Sequence, residues 1–189
     1  DYDHMNPPEE AFAALVKDLA QMQADKNTGM AGTRINYTVP GSISLFKAGA
    51  RAAADMAAGF CYFNDPVFAI ATLVDGGAAP LLYVDLDAHH GDGVEVAFAA
   101  DPRVHTLSIH EAGRWPHSGE VDDTGGGRAI NLPVPQGFHD AELDFLLDHV
   151  VLPLARRIAP RAVVLTCGAD ALAGDPLTRM ALSNVALWD

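Results

Sequence analysis

The sequence predicts an α/β domain built around a mostly parallel sheet. Three observations predict it: short apolar runs alternate with helical patterns, Gly and Pro punctuate the joins, and one apolar run ends in a dense polar cluster. A chain of 189 residues, 49% of them hydrophobic, fits one domain spanning residues 1–189 with material for a sizeable core.

Taken in order, Asn6-Pro7-Pro8 starts a helix whose apolar positions Phe12, Leu15, Val16, Leu19 and Met22 recur at helical spacing. Pro40-Gly41-Ser42 opens an alanine-rich helix reaching about Ala57, and Asp65-Pro66 caps a third that stops at Gly76-Gly77. Leu81 to Val84, Val104 to Ile109 and Ala162 to Thr166 read as buried strands, largely apolar and closed by polar residues or glycine. Val94 to Ala100 reads as helix, and so does Asp140 to Ile158, where Leu143, Leu146, Leu147, Val150 and Leu154 share a face despite Pro153. Thr124 to Arg128 is glycine-rich but lacks the Lys-Ser/Thr of a phosphate loop, so it reads as a turn.

Charge and cysteine usage narrow the function. A net charge of -13 opposes binding to nucleic acid, which needs a basic surface. Cys61 and Cys167 form no CxxC pair and no disulfide framework, which fits a cytoplasmic protein. No apolar run approaches the ~20 residues of a membrane span, and no basic, apolar leader is visible, so no membrane association is expected.

Chemistry concentrates at Asp85-Leu86-Asp87-Ala88-His89-His90-Gly91-Asp92-Gly93, directly after Leu81 to Val84. Ligands of parallel sheets bind beyond the carboxyl ends of the strands. If the backbone stays extended, Asp85, Asp87 and His89 project from one face, and carboxylates with an imidazole suit a divalent metal such as zinc. A third ligand must come from elsewhere, and Asp170 is the candidate because the strand ending at Thr166 delivers it to the same sheet edge.

The segment Tyr83 to Glu95 resembles the metal-binding segment of the histone deacetylase superfamily. Gly59 to Asp65, Thr106 to His110 and Cys167 to Pro176 resemble other motifs of that family in its order, with closest similarity to bacterial acetoin-utilisation deacetylases. The resemblance implies a three-layer arginase/deacetylase-like fold and zinc held by Asp87, His89 and Asp170, with Asp85 and Asp92 behind them orienting histidines. It implies an acyl-lysine tunnel lined by Gly59, Phe60 and Cys61, with Trp115 on the opposite wall. Ser108 and Ile109 match positions that help hold potassium beside the zinc, together with Asp85, Asp87 and His89. The implied substrate is an acetylated protein or a small acetyl-amide.

The chain departs from the family's pattern in two places. Amide hydrolysis needs a general base and acid and an oxyanion donor. The family's paired histidines precede the Gly-Phe-Cys motif, and the corresponding positions here are Ala50 and Arg51; no histidine lies between His4 and His89. The family's oxyanion tyrosine follows the Asp170 motif, yet no tyrosine follows Tyr83. The expectation is therefore a truncated domain lacking an interior segment and a terminal one, with exposed apolar edges that promote association, an oligomer among the outcomes, or instability. His110 and His117 are weak substitutes for the base. Two rivals stand beside the deacetylase: a catalytically inactive zinc-containing module that binds acyl-lysine, and a dimanganese ureohydrolase.

Overall fold

The computed structural model describes residues 64–186. The helices expected before residue 58, and Gly59, Phe60 and Cys61, lie outside the described residues. Within them the order is α1 (Asp65–Asp75), β1 (Leu81–Asp85), α2 (Asp92–Phe98), β2 (Val104–Glu111), β3 (Ala129–Val134), α3 (Asp140–Leu146), a π-turn (Leu147–Val151), α4 (Leu152–Ile158) and β4 (Ala162–Thr166). A single 3₁₀ turn, Ala169–Ala171, follows β4.

The four described strands form one sheet in the order β3-β2-β1-β4, with every neighbouring pair parallel. Parallel pairing requires crossovers, and helical connections between β1 and β2 and between β3 and β4 provide them. β1 lies between β2 and β4 and is buried along its whole length, as a continuous apolar run should be. The main core joins Leu82, Val84, Leu107 and Ile109 of the sheet to Leu143, Val151 and Leu154 of the α3–α4 segment.

Four local features differ from the sequence expectation. The apolar pattern of β3 is interrupted by Asn131 and Pro133, so the sequence does not predict it; a proline has no N–H for a ladder and is tolerated here, where β3 ends the sheet of described strands. β4 is not buried: Val163 and Leu165 are more than half exposed, and the residues alternating with them are only partly buried. α2 begins two residues earlier than the apolar pattern suggests, at Asp92. The long helix through Pro153 is three pieces. The π-turn places Pro153 in the first turn of α4, where a missing N–H costs no intrahelical bond.

Because β1, β2 and β4 run the same way, their carboxyl ends meet at one edge. The ladder continues past the strands there: Leu86 N–H donates to Thr166 O at 2.8 Å, and Glu111 N–H donates to Ala88 O at 3.0 Å. The polar cluster is thus held on both sides by the sheet that precedes it. Among the described residues no helix is long and apolar enough to cross a membrane.

Candidate metal centre

The loop leaving β1 is shaped by its own carboxylates. Asp85 Oδ1 accepts the Asp87 N–H at 3.0 Å, and Asp87 Oδ1 accepts the His89 N–H at 2.8 Å. Two successive Asx-type turns replace backbone partners and aim Asp87 and His89 outward. Asp85 itself points inward: it is buried, and its Oδ2 accepts the Tyr83 hydroxyl at 2.6 Å. Burial raises its pKa to about 7, opposed by the Tyr83 hydroxyl and the Asp87 N–H. The same burial, with the Asp85 charge beside it, drives the Tyr83 hydroxyl upward, so Tyr83 stays the donor.

Asp170 arrives from the other side. β4 ends at Thr166, Gly168 is extended, and the 3₁₀ turn carries Asp170 to the same edge. Its Oδ1 accepts the Ala88 N–H at 3.2 Å, while its Oδ2 lies 2.8 Å from His89 Nδ1. That nitrogen is also 3.1 Å from Asp87 Oδ1. One ligand atom from each of Asp87, His89 and Asp170 falls within 4.8 Å of the others.

This donor set fits a divalent cation. His89 Nδ1 lies within reach of both carboxylates, and a metal held by the three side chains would place positive charge among the same atoms. The side chains are 33%, 22% and 17% exposed for Asp87, His89 and Asp170, which leaves a face open to water or substrate. Burial holds the Asp87 carboxyl above its usual range, with Asp170 adding repulsion, as expected where two carboxylates share a space a cation would occupy. Gly168 makes the approach feasible: a Cβ there would collide with Asp170 Oδ1 and lie 2.5 Å from Asp87 Oδ2.

Behind the triad lies a buried polar network. His90 Nε2 is 3.1 Å from Glu95 Oε2, and its Nδ1 is 2.9 Å from Ser118 Oγ. Burial alone would depress the His90 pKa, but the Glu95 hydrogen bond and charge, with Asp92 and Asp123 nearby, raise it. Burial likewise works against an ionised Glu95, yet the hydrogen bonds from His90 and Asn131 hold its carboxyl below the usual range. His110 is the opposite case. Burial and the neighbouring His90 lower its pKa to about 4. Its Nε2 faces Gly119 O at 3.0 Å and must donate, so the neutral ring accepts the Ser108 hydroxyl, 2.9 Å away, at Nδ1.

The remaining predicted positions are placed as follows. Asp92 opens α2, half-buried, with its carboxyl raised by burial and lowered by the charge of His90. Ser108 is buried opposite Asp85 in the β1–β2 register, and Ile109 follows it in the core. Trp115 is 45% exposed and meets the His89 ring edge-on, with ring centres 6.3 Å apart. His117 is exposed and its Nδ1 lies 3.0 Å from Gly113 O. Sequence reasoning passed over Gly168, Glu111 and Thr178, whose importance depends on close approaches between distant segments.

Comparisons with known proteins point to one family. Residues 48–189 match the histone deacetylase domain model. Over 126 residues the chain is 42% identical to histone deacetylase 1 of Homo sapiens, covering 64% of this chain and 26% of that protein. Over 122 residues it is 39% identical to histone deacetylase HOS1 of Saccharomyces cerevisiae, covering 63% and 26%. The chain thus spans about a quarter of the length of these relatives. Among solved structures, the HDA15 HD domain superposes with a TM-score of 0.62 at 35% identity, covering 71% of this chain and 42% of that one. The histone deacetylase Clr3 superposes with a TM-score of 0.61 at 30% identity, covering 66% and 23%. The fold is therefore the arginase/deacetylase-like α/β fold expected, and the chain belongs to the histone deacetylase family.

Proposed function

We propose that this chain carries the zinc centre of a deacetylase that hydrolyses N-acetyl-lysine in a protein or a related small acetyl-amide. The observation that carries the proposal is the convergence of Asp87, His89 and Asp170 from the ends of two parallel strands, in a chain of this family. Zinc supplies Lewis-acid polarisation of an amide carbonyl and activation of a water when bound. The chain's own residues support that centre and its substrate wall. Asp85 fixes the backbone of Asp87, and Asp92 supplies negative charge beside His90. Trp115, half-exposed against His89, offers an apolar wall for an acyl-lysine stem, and Gly59, Phe60 and Cys61 are its proposed counterpart. Ser108 and Ile109, with the β1 end, are the proposed holders of potassium.

A second reading, a module that binds acyl-lysine without cleaving it, is favoured by one observation. His110, one of the two candidate substitutes for the base, has both ring nitrogens hydrogen-bonded within the protein, so it is not free to take a proton from water.

Metal analysis and acetate release from an acetyl-lysine peptide test the two together. One zinc per chain is expected, with affinity falling by more than about 100-fold on Asp87→Ala or His89→Ala, beyond the loss typical of an outer-shell partner. Acetate release abolished by chelator establishes the deacetylase; peptide binding without acetate establishes the module. Two manganese ions and urea release would replace both with a ureohydrolase.

A further inference from the structure

Glu111 occupies a position that the zinc reading does not use. It is the last residue of β2, 1% exposed, and joins the two segments that carry the metal ligands. Its N–H donates to Ala88 O at 3.0 Å, between Asp87 and His89. Its Oε2 accepts the Arg179 N–H at 2.6 Å. The adjacent Thr178, 2% exposed, donates its hydroxyl to Asp170 O at 2.5 Å. Asp170 Oδ1 in turn accepts the Ala88 N–H. These contacts close a ring: Glu111 to Ala88, Ala88 to Asp170, Asp170 to Thr178, and Arg179 back to Glu111.

A closed ring constrains more than its separate bonds. Asp170 sits on a short 3₁₀ turn, and its backbone carbonyl has a side-chain partner in Thr178. Thr178 is in turn fixed through the next residue, whose N–H rests on the Glu111 carboxylate. That carboxylate also receives Arg114 Nε at 2.8 Å, so its charge is balanced without loosening the ring. A buried carboxylate costs free energy to desolvate, and a packing role alone would not require one. We propose that Glu111 is a positioning residue for the metal centre, closing through its carboxylate a hydrogen-bonded ring that sets Asp170 against Asp87 and His89. The proposal rests on the reading of those three side chains as metal ligands.

The test uses the 189-residue chain, with zinc affinity measured by competition against a chromophoric chelator and Co²⁺ absorption as a report on ligand geometry. Glu111→Ala should weaken zinc binding by about 10- to 100-fold, the range seen when an outer-shell partner is lost, and alter the Co²⁺ visible band. Glu111→Gln keeps an oxygen that can accept the Arg179 N–H, and although its NH₂ cannot accept from Arg114 Nε, the partly exposed Arg114 can turn to water, so affinity should return to within about threefold of the unmutated chain. A merely structural role predicts instead a lower melting temperature for Glu111→Ala with affinity and Co²⁺ spectrum unchanged, and that result would overturn the proposal. Should Glu111→Ala fail to fold, Thr178→Val breaks the same ring elsewhere: a loss of about 10-fold, recovered by Thr178→Ser, supports it, and an unchanged affinity refutes it. If the unmutated chain binds no zinc stoichiometrically, the zinc reading itself fails, which is a separate result from equal affinities in chain and variants.

Discussion

Gly168→Ala adds one methyl group at the point where the two ligand-bearing segments pass closest. Gly168 has φ -92° and ψ 128°, extended backbone that alanine adopts readily, so conformational strain does not enter. The added Cβ would collide with Asp170 Oδ1, lie 2.5 Å from Asp87 Oδ2 and lie 2.8 Å from Asp87 Cα. Relieving the Asp87 Oδ2 contact to 3.0 Å, the closest that real Cβ atoms tolerate, needs a movement of 0.5 Å. Metal–ligand distances hold to about 0.2 Å, so such a movement exceeds what a zinc site absorbs unaltered. Backbone must move as well, because Asp87 Cα is not the end of a flexible side chain. Overpacking of this kind costs about 1–3 kcal/mol, and about 1.4 kcal/mol is tenfold in affinity, so zinc binding should weaken by about 10- to 100-fold. Isothermal titration of zinc into the two proteins measures it. A Gly168→Ala chain that binds zinc within threefold of the unmutated one would refute the reasoning that these carboxylates share an ion.

Other outcomes follow from the same structure. Glu95→Ala removes the shared acceptor of His90 Nε2 and Asn131 Nδ2 in the buried network and should destabilise the fold by about 1–3 kcal/mol, read from urea midpoints at pH 7. His110 is held near 4 when folded against about 6.5 when unfolded, so the unfolded chain binds the extra proton between those values. Its contribution to stability is present above pH 6.5 and is lost as pH falls toward 4, at most about 3 kcal/mol; His110→Gln should flatten that slope in denaturation curves from pH 7 to pH 5. Trp115→Ala should weaken acetyl-lysine peptide binding by about 10-fold while leaving zinc affinity unchanged, and an equal loss of both would remove Trp115 from the proposed substrate wall.

The amino-acid order by itself determined the α/β class and the three strands β1, β2 and β4, and made Asp87, His89 and Asp170 the candidate ligands that the structure brings within 4.8 Å of one another. Apolar runs of strand length and a polar cluster at a run's end are local signals, readable without knowing which segments meet. The Asp-x-Asp-x-His spacing was partly misleading about direction: Asp87 and His89 face outward together, but the Asx-type turn sends Asp85 inward to Tyr83. β3 escaped because Pro133 and Asn131 blur its pattern, and the interruption of the long helix escaped because periodicity does not register a π-turn. Only tertiary structure decided that Glu111 and Thr178 close a ring through Asp170, that Gly168 must lack a side chain, and that burial beside His90 holds His110 toward its neutral form. These depend on distances between segments as many as 82 residues apart. Such distances are set by sheet register and burial, which no stretch of sequence encodes alone.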